Sequence, residues 1–297
     1  MILEQLLGTV PRPVFMQEHF LRLPFALPGG CRHLSPLGSW ATVQRLLGRP
    51  GLDVLAGREG RSWDGRPPVS FADARALHEA GYTLRFRHVE RHDQDLAVLA
   101  EGFRQDFQAP VDVHLYCTPA GCPGFGWHYD AEDVFVLQTQ GSKEWQLRKN
   151  TVNPWPLVET LPADMRYERE VMPLLRCTLA AGDWLYIPAG YWHRTQAGEE
   201  SISLSVGVLS AAAVEVYDFL RTYLLSSLKW RQRLPPAGAA SPFGPEDLLR
   251  RYQALFRELG EDLAELLKRE EVARAFLERR ASAQSPTGKE PSGGATP

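Results

Sequence analysis

Two stretches of the sequence decide the fold and the chemistry: residues 126–145, GWHYDAEDVFVLQTQGSKEW, and residues 182–193, GDWLYIPAGYWH. The first carries His128 and Asp130 ahead of a β-branched and aromatic run, and the second ends on His193. Side chains two residues apart on a strand share a face, so we expect His128 and Asp130 to point the same way. Two imidazoles and one carboxylate on one face of a metal leave its other positions open. The pattern therefore predicts a catalytic metal centre with His128, Asp130 and His193 as its ligands.

This ligand set is typical of non-haem Fe(II) oxygenases, which hold a cosubstrate and O₂ on the same iron. Zinc hydrolases use similar ligands in tetrahedral geometry with one open position, but no activated nucleophile partner stands out in this sequence. A bare His-x-Asp is more often a surface turn or a core histidine with a partner. The metal prediction therefore depends on the longer pattern around the three residues.

The flanking sequence predicts short strands. Residues 111–119, VDVHLYCTP, and residues 201–208, SISLSVGV, alternate in polarity, and residues 134–149, VFVLQTQGSKEWQLRK, indicate two strands joined at Gln140 and Gly141. Short strands with Gly and Pro turns at such intervals predict an all-β sandwich or barrel.

Helical patterns lie on both sides of this region. The first 27 residues predict a leading helix and an extended wrap, and helix and loop alternate over residues 38–107. Apolar residues recur at three- and four-residue steps after Leu209, which is typical of amphipathic helices. We predict an oxygenase domain over residues 1–209, a helical and dimerising segment over 210–280 and, from its small, polar composition, a disordered tail over 281–297.

Composition excludes several classes of protein. The 297 residues carry 33 basic and 36 acidic side chains, a formal net charge of -3, which gives no electrostatic reason to expect a nucleic-acid partner. No apolar run has the length of a membrane span, and the N-terminus does not resemble a signal peptide. Four scattered cysteines do not form a disulfide framework. We therefore expect a soluble, cytoplasmic protein with no membrane partner.

Residues 111–208 resemble the JmjC-type cupin fold, and most of all its ribosomal-oxygenase branch, the cupin-4 family. The resemblance is carried by HLYCTPAGCPGFGWHYDAEDVFVLQTQGSKEW, residues 114–145, and by GDWLYIPAGYWH. It implies a mainly β fold with helices, in which a double-stranded β-helix (cupin or jelly-roll) core has N-terminal helices and a C-terminal helical segment. It also implies a dioxygenase that uses Fe(II), 2-oxoglutarate and O₂ to hydroxylate protein side chains. The best-known members hydroxylate Arg or His side chains of ribosomal proteins.

The resemblance also assigns residues to the 2-oxoglutarate pocket. Lys143 matches the lysine that binds the far carboxylate, and Tyr116 matches a tyrosine that donates its hydroxyl nearby. Ser205 aligns with a serine near the same carboxylate, and Ser203 is the next candidate. Each has a plainer interpretation: a solvated turn lysine, a core tyrosine, and the polar face of a surface strand.

Two further residues are expected near the pocket. His114 stands where many relatives have asparagine, and it shares a strand face with Tyr116, so we expect it to point into the same cavity. There it either hydrogen-bonds the cosubstrate or substrate, or it is a satisfied core histidine; a role as an extra metal ligand is a third and weaker alternative. Thr195 follows His193 on the same strand face and is expected to contact the cosubstrate weakly.

In the resembling family, helices after the barrel form a dimer interface and precede a winged-helix module. We therefore expect a homodimer, and because no β-rich sequence follows Leu209, we expect the winged-helix module to be reduced or absent. That departure weakens the inference of a ribosomal substrate more than the inference of oxygenase chemistry. Two alternatives stay open: the same chemistry on a small molecule or peptide, and a non-catalytic metal-binding cupin.

Overall fold

An eight-stranded and a three-stranded antiparallel sheet form the core of the computed structural model, which describes residues 1–58, 61–162, 165, 167, 171–238 and 241–282. The large sheet has the strand order β1-β9-β6-β11-β5-β4-β2-β3, and the small sheet has the order β10-β7-β8. The strands are β1 (Phe25–Leu27), β2 (Asp53–Arg58), β3 (Arg61–Ser62), β4 (Thr83–Arg87), β5 (Val111–Thr118), β6 (Asp133–Gln140), β7 (Lys143–Arg148), β8 (Leu175–Leu179), β9 (Trp184–Ile187), β10 (Trp192–Ala197) and β11 (Ser201–Val208).

The turn at Gly141 sends consecutive strands into different sheets. The predicted strands over residues 134–149 are present as β6 and β7, but β6 pairs with β9 and β11 whereas β7 pairs with β8 and β10. Gly141 has φ 63°, and a Cβ atom there would lie against the backbone of Glu200, so the turn requires glycine. This change of sheet places the first residue of β7 beside strands that are distant in sequence.

The polar and apolar faces of the large sheet have different partners. Val113 and Leu115 on β5 and Leu204 on β11 are fully buried in the main hydrophobic core, which also contains helix residues such as Leu96 and Phe103. The alternate residues face the other way, as period two requires. These alternate residues place hydroxyl and charged groups on the inner face of the sheet.

The helices of the first compact unit, Met1–Ser210, surround the sheet. The longest begins after Asp93, whose carboxylate accepts hydrogen bonds from the backbone N–H groups of Asp95 and Leu96. A mainly β architecture with helices at its N-terminal side agrees with the prediction. The helices are α1 (Ile2–Leu7), α2 (Arg12–Val14), α3 (Trp40–Leu46), α4 (Phe71–Glu79) and α5 (Gln94–Phe107), with a π-helical turn at Phe15–His19 and 3₁₀ turns at Arg32–Leu37, Val89–Arg91 and Val158–Thr160.

Asp133, at the start of β6, anchors this strand. Its carboxylate accepts hydrogen bonds from the Tyr186 hydroxyl at 2.6 Å and the Ser210 hydroxyl at 2.6 Å. It also accepts one from the Ala189 backbone N–H at 3.3 Å. Burial raises the pKa of Asp133, so these donors stabilise a carboxylate that is costly to ionise. Asp133 is therefore structural.

The second unit begins at Ala211 and is helical in the part that the structure describes. Its own small core contains Phe219, Leu220 and Val272. The last helix includes residues 281 and 282, and the remainder of the predicted tail, residues 283–297, lies outside the described residues. No helix in the described ranges is both long and apolar enough to cross a bilayer. The helices are α6 (Glu215–Ser226), α7 (Pro245–Leu267) and α8 (Glu270–Ser282).

Candidate metal centre and cosubstrate pocket

The structure brings His128, Asp130 and His193 together. His128 and His193 form an isolated bridge, in which the His193 N–H donates to the His128 carbonyl at 2.8 Å and the reverse bond measures 3.1 Å. The imidazole centroids are 4.2 Å apart, and Asp130 Oδ2 lies 3.4 Å from His193 Nε2. The potential ligand atoms of all three residues lie within 4.8 Å of one another.

The local geometry differs from the one that the sequence suggested. His128 and Asp130 do not lie on a regular strand but in the irregular segment between Gly126, with φ 81°, and β6. The Asp130 carbonyl accepts the Gly190 N–H at 2.8 Å, which ties this segment to the turn before His193. Backbone hydrogen bonds between the two quoted stretches, rather than strand periodicity, therefore align the ligands.

Both histidines are oriented by their own chain. The Nδ1 atom of His128 lies 3.0 Å from the Gly126 carbonyl oxygen, and the Nδ1 atom of His193 lies 2.9 Å from the Tyr191 carbonyl oxygen. A carbonyl accepts only a protonated nitrogen, so each ring carries its proton on Nδ1 and has a lone pair on Nε2. This tautomer leaves the Nε2 atom of each ring free to bind a metal ion.

The surroundings of His193 and Asp130 favour the protonation states in which these two side chains bind a metal. Burial lowers the pKa of His193, and the neighbouring His128 lowers it further. Burial opposes ionisation of Asp130, but the adjacent histidines lower its pKa below the usual value. Neutral imidazoles beside an ionised carboxylate are the forms in which these side chains bind metals.

Lys143 lies at the other end of the same pocket. Its Nζ is buried, lies 3.3 Å from Ser203 Oγ and is 5.9 Å from the centroid of the Tyr116 ring. Burial lowers the pKa of Lys143 to about 8, and no carboxylate in the described ranges forms an ion pair with it. The structure thus excludes the solvated turn lysine. A buried ammonium without a counter-ion favours binding of an anion.

Most of the residues predicted for the pocket line it, and the rest of its wall contains both apolar and polar side chains. Burial raises the pKa of Tyr116 to about 12, so its hydroxyl stays protonated and can donate. The lining residues are Thr83, Tyr116, Thr118, Gly124, Phe125, His128, Asp130, Val134, Val136, Lys143, Trp145, His193, Thr195, Ser203 and Ser205.

His114 differs from the prediction, because it is not one of the residues that line this pocket. It is buried, its Nδ1 accepts the backbone N–H of His88 at 3.2 Å, and the two rings meet edge to face at 5.2 Å. Burial lowers the pKa of His114 to about 3, so the ring is neutral. Of the alternatives, the structure favours a satisfied buried histidine.

The sequence interpretation missed three pocket residues with polar atoms. Thr83, Thr118 and Trp145 are buried, and within the described part of the chain the hydroxyls of both threonines and the Trp145 Nε1 have no hydrogen-bond partner. Period two on β5 could have identified Thr118, which shares the face of Tyr116. Thr83 could not be identified because nothing in the sequence gives the pairing of β4 with β5, and a tryptophan on a strand, such as Trp145, is typical of a barrel interior as well as of a pocket wall.

A second group of potential ligands is formed by His88, Glu90 and Asp112. His88 Nδ1 lies 3.1 Å from Asp112 Oδ1, and Glu90 accepts the Val113 backbone N–H at 2.9 Å. Arg91 Nε also lies 3.4 Å from Glu90. Because these side chains pair with one another and with the chain around them, we assign the group a structural role.

Comparison with known proteins gives consistent results. Residues 88–216 match the JmjC domain. The histidyl-hydroxylase and lysine-specific demethylase NO66 of Dictyostelium discoideum is 34% identical over 135 residues, which cover 44% of this chain and 26% of that protein. Ribosomal oxygenase 1 of Gallus gallus is 31% identical over 240 residues, which cover 74% of this chain and 40% of that protein. The chain thus spans less than half the length of these relatives.

A solved structure shares the fold. YcfD, a ribosomal oxygenase from Escherichia coli in complex with cobalt and 2-oxoglutarate, superposes with a TM-score of 0.58 at 22% identity, covering 92% of this chain and 71% of that chain. The two sheets therefore form the JmjC-type cupin core that the sequence predicted. Residues 88–216 therefore form a JmjC domain, and the chain is similar to proteins of the ribosomal-oxygenase branch of the JmjC-type cupins.

Proposed function

We propose that the protein is an Fe(II)- and 2-oxoglutarate-dependent dioxygenase that hydroxylates a protein side chain. The observation that carries the proposal is one pocket with a two-histidine, one-carboxylate centre at one end and the unpaired buried ammonium of Lys143 at the other. Such a centre favours ferrous iron with open positions, and such an ammonium favours a carboxylate. 2-Oxoglutarate carries suitable groups for both ends.

The residues fit these two groups. His128 Nε2, His193 Nε2 and an Asp130 oxygen would hold Fe(II), because their other polar atoms are already engaged or face the centre. Lys143 would bind the far carboxylate. Bound iron, 2-oxoglutarate and O₂ together supply the oxidising power for hydroxylation and leave succinate and CO₂ as coproducts.

The chain contributes orientation and shielding. Tyr116, Ser203 and Ser205 direct hydroxyls into the pocket near Lys143 and fix the direction of a bound diacid. Val134 and Val136 form an apolar wall that excludes water from the reacting groups. Thr195 adds a further hydroxyl to the wall on the side of β10.

The substrate that we propose is a ribosomal protein, hydroxylated on an Arg or His side chain. Support comes from the relatives, which include ribosomal oxygenases of Gallus gallus and Mus musculus and histidyl-hydroxylases. A small molecule or peptide is the second candidate, because the described part of the second unit contains helices and no winged-helix strands. Mass spectrometry of ribosomal proteins with and without the enzyme tests this choice. A gain of one oxygen atom on Arg or His supports it, and oxidation of other targets alone contradicts it.

We further propose a cytoplasmic homodimer that associates through the helical unit. Apolar side chains on its helices are exposed, including Tyr217, Leu225, Phe256 and Leu277. Exposed apolar surface of this kind is typical of protein interfaces. Light scattering at micromolar concentration tests the dimer, and a monomeric mass contradicts it.

Succinate formation tests the chemistry before any substrate is known. The wild-type chain with Fe(II), ascorbate and 2-oxoglutarate should form succinate slowly even without a substrate. The variant Lys143→Ala should do so only at raised 2-oxoglutarate concentration. If the wild type neither binds 2-oxoglutarate nor forms succinate, the non-catalytic cupin is the better description.

A further inference from the structure

Two threonines wall the pocket and have hydroxyls that nothing in the described chain satisfies. Thr83 begins β4 and Thr118 ends β5, and each is 1% exposed. Both line the pocket, yet neither Oγ1 has a hydrogen-bond partner. A buried hydroxyl that makes no hydrogen bond is unfavourable, and a native site normally provides it with a partner.

Strand register places the two threonines side by side. Leu84 on β4 pairs with Cys117 on β5, and the next residues along these antiparallel strands are Thr83 and Thr118. Because alternate residues share a face, Thr118 lies on the face of Tyr116. The two hydroxyls therefore belong to one patch of the pocket wall.

The ammonium of Lys143 lies at the same end of the pocket. Its Nζ lies 3.3 Å from Ser203 Oγ. Ser203 on β11 pairs with Tyr116 on β5, and Tyr116 lies two residues before Thr118 on the same face of β5. The ammonium of Lys143 and the hydroxyls of Thr83 and Thr118 therefore line the same part of the pocket.

A carboxylate satisfies this arrangement better than water does. Its two oxygens offer about four acceptor positions, so it can accept hydrogen bonds from an ammonium and two hydroxyls together. It also neutralises the buried charge, which a water molecule leaves uncompensated. The group that fills this end of the pocket is therefore an anionic acceptor.

We infer that Thr83 and Thr118 donate hydrogen bonds to the far carboxylate of the cosubstrate, beside Lys143. The inference rests on the proposed function and adds two residues to it. Thr83 lies outside residues 88–216, which match the JmjC domain, so β4 supplies part of the cosubstrate site from outside the matched region.

The test uses the full chain with Mn²⁺ in place of iron, and 2-oxoglutarate is titrated by calorimetry, so the readout is binding and not turnover. The variants Thr83→Val and Thr118→Val remove only the hydroxyl. Each should weaken 2-oxoglutarate binding roughly tenfold, since hydrogen bonds to a charged group are lost. The free variants should unfold at the wild-type temperature or above, because an unpartnered buried hydroxyl has been replaced by a methyl group.

Thr139→Val is the matched control. Thr139 is also buried, but its hydroxyl donates to the Ile202 carbonyl at 2.9 Å and does not line the pocket. This variant should unfold at a lower temperature and bind 2-oxoglutarate normally. Comparison of Thr139→Val with the two pocket variants therefore distinguishes the loss of a ligand contact from a general loss of stability.

The outcomes distinguish the inference from the function beneath it. If the wild type binds 2-oxoglutarate and both pocket variants bind it equally well, the assignment of Thr83 and Thr118 is wrong and the proposed function stands. The assignment is also wrong if the pocket variants weaken binding only together with a fall in unfolding temperature like that of Thr139→Val. If the wild type does not bind 2-oxoglutarate at all, the proposed function and the inference fail together.

Discussion

The two ends of the pocket satisfy their polar atoms in different ways. At the metal end, the Nδ1 atoms of His128 and His193 already bond to carbonyl groups of their own chain, which leaves one nitrogen of each ring for the centre. At the inner end, which contains Lys143, the ammonium lies 3.3 Å from the Ser203 hydroxyl and 5.9 Å from the centroid of the Tyr116 ring. Among the residues that the structure describes, the hydroxyls of Thr83 and Thr118 have no hydrogen-bond partner. The first end is thus preorganised by the protein, and we propose that a ligand satisfies the donors at the second.

We therefore expect the two ends of the pocket to have different functions. Preorganised ligands hold a metal in one geometry without further adjustment, so the metal end determines whether chemistry occurs. Unsatisfied donors gain most when a matching acceptor arrives, so the inner end determines which cosubstrate binds. Variants at the first end should abolish turnover, and variants at the second should change the affinity for 2-oxoglutarate.

The largest effect is expected at the metal end. His128→Ala removes one of three ligands and should lower metal affinity and succinate formation by more than about 100-fold, since loss of an outer-sphere partner alone costs 10- to 100-fold. Metal titration and a succinate assay measure it. His33→Ala, at an exposed histidine, is the control and should behave as the wild type. Full turnover by His128→Ala would remove this residue from the centre.

Substitution of Lys143, at the inner end, should have a smaller effect, which changes the affinity for 2-oxoglutarate more than the turnover rate. Lys143→Ala removes the cation that lies 3.3 Å from the Ser203 hydroxyl and should raise the KM for 2-oxoglutarate roughly 10- to 100-fold, because a charge-assisted hydrogen bond is lost. The kcat at saturating cosubstrate should change much less. Lys149→Ala, at an exposed lysine just beyond β7, is the matched control. An unchanged KM in Lys143→Ala would place the far carboxylate elsewhere.

Proton binding at Lys143 should give the inner end a pH dependence. Burial lowers the pKa of Lys143 to about 8, and a bound carboxylate raises it again because the charged form is then favoured. Binding of 2-oxoglutarate should therefore be nearly constant up to about pH 7, fall to about half at pH 8 and reach roughly one tenth at pH 9. Calorimetry at each pH measures this fall.

Lys143→Arg provides the control for the pH dependence. Arginine stays protonated at these pH values, so the variant should bind 2-oxoglutarate with nearly constant affinity up to pH 9. If this variant shows the same fall as the wild type, another group is responsible for it.

The two ends also differ in how far the sequence predicts them. The metal ligands lie in two short stretches that form backbone hydrogen bonds with each other, so a local pattern was sufficient to predict the three residues. The structure still differs from the expectation in one respect, because His128 and Asp130 do not lie on a regular strand. Their side chains are aligned by the backbone bridge between His128 and His193 and by the hydrogen bond from the Gly190 N–H to the Asp130 carbonyl. The family resemblance predicted the fold and Lys143, which β7 delivers to the pocket.

The positions of Thr83 and His114 depend on contacts between segments that are distant in the sequence. Thr83 reaches the pocket only because β4 lies next to β5, and a single sequence carries no signal for that neighbour. His114 shows the opposite case: it has the strand face of Tyr116, but the backbone N–H of His88, held at φ 51°, binds its Nδ1. Neither outcome follows from local periodicity.

The smallest effect is expected at Thr195, which lies between the two ends. Its Oγ1 lies against Gly124, where an added Cβ atom would be only 2.5 Å away, and we expect this hydroxyl to contribute little to the binding of the cosubstrate. Thr195→Val should therefore change 2-oxoglutarate affinity by no more than about twofold, less than the effect of a full hydrogen bond. Calorimetry beside Thr118→Val measures the difference. Equal losses in the two variants would mean that the unsatisfied donors extend along the whole pocket, and the contrast between its ends would then disappear.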